Sequence, residues 1–352
     1  MRRFLSFLKL VMVPAIIGVI VWLSGIREIY AVILRSSFSI IAGAFVLSMI
    51  AVGLTAVKWR FVMPTIKVGE LFKAALIGQF YSFFFLGQAS GEAAKIYLIS
   101  RESRNVSGAT VSVFTDRLTS FIGLLIVSVL GFAMSSSHYP PKLQQIALAG
   151  LTLLIGVLVA LRHNAFFFHA ERVASWIEGR TPGYSSAIAR ALRRAIQQWH
   201  VSVSNLWRVI AGVLIGALIH IVNVLTFMIL AYGIGVNLDF FDWCWVAGLT
   251  SVAGLLPITI GQMTAGGALV ALLRLQDVSL VDSLALSALI IAVNGMLAIV
   301  GSFLEWHRLR MRVAAPAQSA TDGISNDTQP QAPGLTVSKA ALIGRDGARE
   351  ID

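Results

Sequence analysis

Six apolar stretches, residues 4 to 24, 38 to 57, 106 to 134, 143 to 161, 209 to 233 and 281 to 304, are each long enough to cross a bilayer, whose hydrocarbon core takes about 20 apolar residues as a helix. With no water to satisfy backbone N–H and C=O groups in lipid, such runs restrict the chain to bundled helices. Composition agrees: 57% of the 352 residues are hydrophobic and 13% charged, against about 25% charged in a soluble domain. The expected fold is all-α and polytopic.

Two further regions, 68 to 102 and 242 to 277, are apolar but broken near the middle by glycine and polar residues. Each reads either as two half-helices entering and leaving from one side, or as a span plus a surface helix. Both versions put the break beside a cavity, because irregular backbone at membrane depth needs protein or water around it. The breaks resemble one another. Gly78-Gln79 followed by Gly87-Gln88-Ala89-Ser90-Gly91 is echoed by Gly254 and then Gly261-Gln262-Met263-Thr264-Ala265-Gly266-Gly267, about 174 residues later. Paired Gly-interrupted segments in two halves point to an inverted-repeat transporter and to its binding site. Helix packing alone also favours small residues, which leaves coincidence open.

The net charge of +11 does not imply nucleic acid, because the basic residues fall mainly in alternate connections. Arg2, Arg3 and Lys9; Lys58, Arg60 and Lys67; Arg101 and Arg104; seven Arg from Arg162 to Arg208; and Arg308, Arg310 and Arg312 share one side if both broken regions are re-entrant. That side is expected to be the cytoplasm, with both termini there and a bacterial inner membrane as the location. The first hairpin then opens from the cytoplasm and the second from outside. The N-terminus is read as a retained helix rather than a cleaved leader.

Residues 1–312 are expected to form the membrane domain, in halves 1–161 and 209–312 joined by a basic connection at 162–208. There Ile188, Leu192, Ile196, Trp199 and Val203 recur at helical spacing opposite arginines, as in a headgroup-level helix or an ordinary connector. Residues 313–352, rich in Ala, Pro, Ser and Gly, read as a disordered tail. One cysteine and six scattered histidines give no metal-ligand spacing, and no cofactor motif is present.

Charges inside apolar segments are the candidate site. Glu92 and Lys95 share a face of the helix after the first break, and Asp116-Arg117 sits inside the run 106 to 134. A charge at the bilayer centre costs roughly 2.5–3.5 kcal/mol even on lenient scales, so a substrate or ion path is the default reading. Structural ion pairs, a snorkelling Lys95 and an interfacial helix are the competing ones. Asp116 and Arg117 point about 100° apart on a helix, so each needs another partner. The expected pairs are Arg117 with Glu92 and Asp116 with Lys95. In the second half, Pro257, Thr259, Gly261 and Gln262 combine a helix breaker with exposed amides suited to an anionic headgroup. His220, Asn223 and Asn294 read as packing residues before ligands. With Gly87, Gln88 and Gly91 these residues complete the expected substrate site. No nucleophile elbow, Walker loop or paired-carboxylate motif is present, so transport is favoured over catalysis.

Lys58-Trp59-Arg60, Gly91-Glu92-Ala93-Ala94-Lys95, Asp116-Arg117-Leu118 and Leu256-Pro257-Ile258-Thr259-Ile260-Gly261 resemble, in order and spacing, the motifs of the lysylphosphatidylglycerol synthase transmembrane-domain family, also called flippase-like or UPF0104 membrane proteins. The resemblance implies a lipid transporter or flippase-like protein holding a polar headgroup, anionic or linked to a polyprenyl or hopanoid lipid, near the midplane. The alternatives are a membrane glycosyltransferase and a non-catalytic partner of a lipid-biosynthesis enzyme. Lysine transfer is not expected, because no aminoacyl-transferase domain accompanies the match. Two positions depart from the family pattern. Lys95 stands where Arg is usual, losing a planar fork, and Thr264-Ala265-Gly266-Gly267 lacks the acid that usually closes the second glycine-rich loop.

Overall fold

The computed structural model describes residues 26–85, 87–135, 205–254 and 263–314, with single positions between 142 and 156. The expected span 4 to 24 and most of the expected span 143 to 161, of the connection 162–208 and of the tail 313–352 lie outside the described residues. The chain divides into a compact unit ending at Trp306 and a second beginning at His307. Both broken regions belong to the first unit.

Every regular element among the described residues is a helix: α1 (Ile26–Arg35), α2 (Phe38–Val62), α3 (Val68–Phe84), α4 (Gln88–Ser103), α5 (Val106–Met134), α6 (Leu206–Gly233), α7 (Phe240–Gly254), α8 (Met263–Arg274) and α9 (Leu280–Ala314). Four of them, α2, α5, α6 and α9, are long and apolar enough to cross a membrane, matching four of the six expected spans. Asparagine caps set two starts. Asn105 accepts from the Gly108 N–H at 2.9 Å ahead of α5, and Asn205 from the Arg208 N–H at 3.4 Å ahead of α6, satisfying first-turn donors. α1 was not expected. Its Ile26, Ile29, Val32 and Ile33 recur at three- and four-residue steps, and Val32 is buried.

The two broken regions are helix pairs. α3 and α4 hold 17 and 16 residues, α7 and α8 hold 15 and 12; at 1.5 Å per residue these reach about 18–26 Å, short of a core about 30 Å thick. Re-entrant pairs fit these lengths. Between α3 and α4 the chain reverses at Gly87, whose φ of +61° and ψ of −146° suit a residue without Cβ. The pair then closes tightly. A Cβ on Gly91 would strike the Ser82 hydroxyl, and one on Gly78 would lie 2.7 Å from Lys95 Cε, so α3 and α4 pack antiparallel with Lys95 laid across Gly78.

Contacts across the helices give their directions. Lys58 of α2 meets Asp116 and Ser120 of α5 while Trp59 donates to Ser112 Oγ at 3.2 Å, so those two run antiparallel. Thr119 faces Gly212 and Gly216, and Ser128 faces His220, so α5 and α6 run parallel. Gly131 abuts Cys244, and Ser128 abuts Gly248, making α7 antiparallel to α5. α3 therefore starts at the end where α2 finishes and α5 begins, and α7 starts at the opposite end. The two pairs enter the bundle from opposite sides, as an inverted repeat requires.

The α5–α6 crossing is a sharp packing constraint. A Cβ on Gly123 would stand 2.6 Å from the Gly216 carbonyl carbon and 2.8 Å from the Val213 oxygen, backbone atoms that cannot rotate aside. Gly123→Ala is expected to lower stability by roughly 1–3 kcal/mol through overpacking. Gly53→Ala, with nothing within 4 Å, should be neutral or slightly stabilising because alanine favours helix. Melting temperatures of the two purified variants compare them directly.

Candidate functional site

Helices α2 to α9 line a cavity of about 340 Å³. Its lining is divided by helix. From α4 and α5 come Gln88, Lys95, Asp116, Arg117 and Ser120; from α6 to α9 come His220, Asn223, Thr250, Ser251, Ser287 and Asn294. This lies at the low end of the usual 300–1,000 Å³ for ligand sites.

Five charged side chains sit at or behind the first wall, in two groups. Arg117 Nε donates to Glu92 Oε1 at 2.6 Å, Arg117 Nη2 also reaches Glu92 Oε1, and the same Nη2 donates to Gln88 Oε1 at 2.8 Å. Lys95 Nζ approaches that Glu92 oxygen at 3.3 Å. The expected Glu92–Arg117 pair is present, and charge-assisted contacts of this kind are the strong ones. Glu92 Oε2 is buried with no hydrogen-bond partner among the described residues.

The expected Asp116–Lys95 pair is not formed. Asp116 faces α2, where Lys58 Nζ lies 2.9 Å from its Oδ1 and donates to its backbone carbonyl at 2.8 Å and to Ser120 Oγ. Oδ1 receives no directed hydrogen bond, so the carboxylate contact is an ion pair by proximity while the carbonyl contact carries the direction. The reason is helical geometry. Successive residues on α5 diverge by about 100°, which turns Arg117 toward α4 and Asp116 toward α2. Lys58, read from sequence as part of the basic boundary, is 1% exposed at its side chain and Asp116 6%. Its sequence signal was its place in Lys58-Trp59-Arg60, directly after an apolar run.

Three cations, Lys58, Lys95 and Arg117, stand against two carboxylates, Glu92 and Asp116, which leaves this wall with one net positive charge. The first residue of α4 is Gln88, so a helix N-terminus adds partial positive charge there. Gly87 and Gly91 shape the hairpin rather than line the space. Pro257, Thr259, Gly261 and Gln262 lie outside the described residues; Gly254, Ala265 and Gly266 on either side of them do line the cavity. His220, Asn223 and Asn294, taken from sequence as packing residues, all line it as well.

The pattern of the lysylphosphatidylglycerol synthase TM region matches residues 7–301. The chain belongs to that family. The match contains both helix pairs and every residue lining the cavity, so the charged wall is part of the family domain rather than an addition to it. A UPF0104 membrane protein of Pyrococcus horikoshii is 22% identical over 168 residues, 46% of this chain and 50% of that protein. The chain thus spans about half the length of the curated relative it matches. No solved structure matches it.

Proposed function

We propose that this family member acts in lipid metabolism as a flippase-like transporter, taking an anionic lipid headgroup into the cavity between its two hairpins. The observation that carries the reading is the cationic wall formed by Arg117 and Lys95 in a headgroup-sized space inside a membrane-spanning bundle. An ionisable cluster at that depth is costly unless it serves a path. Opposed half-helix pairs meeting around one site match the architecture of alternating-access transporters. The basic residues Arg60 and Lys67 at the end where α2 finishes support a cytoplasmic position for that end, in a bacterial inner membrane. The family, named for the TM region of a lipid synthase, supports a role in lipid metabolism.

Reconstitution tests this. Vesicles carrying the purified protein are expected to exchange labelled anionic phospholipid between leaflets faster than protein-free vesicles. Lys95→Gln, which lowers the wall from one net positive charge to none, is expected to slow the exchange roughly tenfold, since a contact to a charged group contributes about 1.5–3 kcal/mol. Folded protein that accelerates no native lipid overturns the transport reading. Formation of a new glycolipid from a labelled sugar-lipid donor would put a membrane glycosyltransferase in its place. Co-purification of a lipid-biosynthesis enzyme, without transport, would point to a partner role.

A further inference from the structure

The second wall of the cavity differs in kind from the first. His220 is 2% exposed, and its Nε2 lies 3.3 Å from the Cys244 carbonyl and 3.3 Å from Ser128 Oγ. Ser128 gives its own proton to the Leu124 carbonyl at 2.7 Å, and a carbonyl only accepts, so both neighbours require Nε2 to carry the hydrogen. In the neutral ring Nδ1 is then a lone-pair acceptor, and it has no partner among the described residues. One helix over, Thr250 lines the same cavity at 4% exposure, and its hydroxyl is buried with no partner among the described residues. Threonine in a helix ordinarily bonds the carbonyl four residues back; Thr226 and Ser251 do so here, and Thr250 does not. Asn223, one turn after His220, and Ser287 on α9 also line the cavity with no side-chain hydrogen bond among the described residues.

Of this wall the Thr250 hydroxyl is buried with no partner among the described residues, and such a group is costly unless something else satisfies it. This wall offers an acceptor, hydroxyls and an amide, with no charge. No cationic headgroup is served by it. Both carboxylates near the cavity are already countered by Lys58, Lys95 and Arg117. The sequence from Trp243 to Gln276, which includes the residues between α7 and α8, contains no Asp or Glu.

We infer that His220, Thr250, Asn223 and Ser287 form a hydroxyl-binding subsite, and that the headgroup is a phosphodiester bearing uncharged hydroxyls, such as a glycerol or a sugar, with its phosphate at Arg117 and Lys95. A headgroup carrying an ammonium, as in an aminoacylated phosphatidylglycerol, finds no unpaired carboxylate among the described residues lining the cavity, where Asp116 is held by Lys58. The inference rests on the transport reading for its lipid, and the experiment separates the two because it reads binding.

Purified protein in detergent is titrated with dioctanoyl phosphatidylglycerol, dioctanoyl phosphatidylmethanol, lysyl-phosphatidylglycerol of the same chain length, and glycerol 3-phosphate, reading the concentration for half-maximal thermal stabilisation. Phosphatidylglycerol is expected to act at the lowest concentration. Phosphatidylmethanol, equal in charge but without hydroxyls, should need at least tenfold more, and the lysyl lipid should be weaker still. Thr250→Val keeps shape and removes a hydroxyl that has no partner among the described residues, so the ligand-free protein should melt no lower. Phosphatidylglycerol binding should fall about threefold to tenfold, the range of one neutral hydrogen bond of about 0.5–1.5 kcal/mol, with phosphatidylmethanol binding unchanged.

Equal binding of phosphatidylglycerol and phosphatidylmethanol, binding of the lysyl lipid as tight as phosphatidylglycerol, or equal losses for both anionic lipids in the variant would overturn the subsite. Stabilisation by glycerol 3-phosphate at the same concentration as the lipid would assign the site to a soluble phosphate ester and overturn the lipid. The binding pattern without any leaflet exchange in vesicles would remove the transport reading and keep the subsite.

Discussion

Lys58→Met is expected to destabilise the protein by about 3–5 kcal/mol, the cost of leaving one member of a buried ion pair unmatched. Lys58 and Asp116 are the most enclosed pair among the described residues, at 1% and 6% side-chain exposure, so solvent does little to soften the loss. Lys58 also donates to the Asp116 carbonyl and to Ser120, and those acceptors lose their partner at the same time. Asp116→Leu alone should be comparably damaging, because it strands the ammonium. Combining the two replaces the pair by apolar groups and should regain most of the stability, since buried pairs exchanged whole for hydrophobic residues are often neutral. Unfolding of the four proteins in mixed detergent gives the coupling directly. Losses that simply add would mean that the two side chains do not share one interaction.

Arg117→Gln is expected to have the larger effect on transport and the smaller one on stability. Arg117 is 36% accessible at its side chain and Glu92 20%, so the pair is partly screened by the cavity and its loss should cost about 1–2 kcal/mol of stability. Function depends on the charge. Removing Arg117 takes the wall from one net positive charge to none and frees Gln88, so anionic-lipid exchange should fall tenfold to a hundredfold, the equivalent of about 1.5–3 kcal/mol. Glu92→Gln acts oppositely on charge, leaving Lys95 and Arg117 side by side with nothing between them, and should slow exchange by misplacing both. Exchanging the two as Glu92→Arg with Arg117→Glu should recover stability only in part, because the new arginine sits three residues from Lys95 on the same face. Full recovery would show that Lys95 is not coupled to the pair. Unchanged leaflet exchange in Arg117→Gln would remove Arg117 from the site.

Features set by local interactions were legible in the sequence. Long apolar runs fix spanning helices by the length of the bilayer alone, so α2, α5, α6 and α9 were readable. Glycine-centred interruptions fixed the two broken regions, because Gly87 must adopt a positive φ and Gly91 must admit Ser82. Glu92 and Arg117 were legible as partners because both are charges stranded in apolar segments that lie close together along the chain. The short α1 was missed where its apolar repeat was hidden between two spans.

Tertiary structure decided the rest. Whether Asp116 turns to Lys95 or to Lys58 depends on which helices flank α5, and helix rotation is set by packing at Gly123, Gly212 and Gly216 rather than by the residues near Asp116. The neutral wall was likewise invisible. A histidine, an asparagine and a threonine on apolar helices look like packing residues until Nδ1 of His220, the Asn223 amide and the Thr250 hydroxyl are found without a partner among the described residues, and that is a property of the assembled bundle. Sequence by itself determined that the chain is a helical membrane protein with charge buried at a glycine hairpin, because burial of charge in lipid is a one-dimensional cost. Only the fold determined that these charges and uncharged groups about 100 residues or more away face each other across one cavity, because that depends on how eight helices pack.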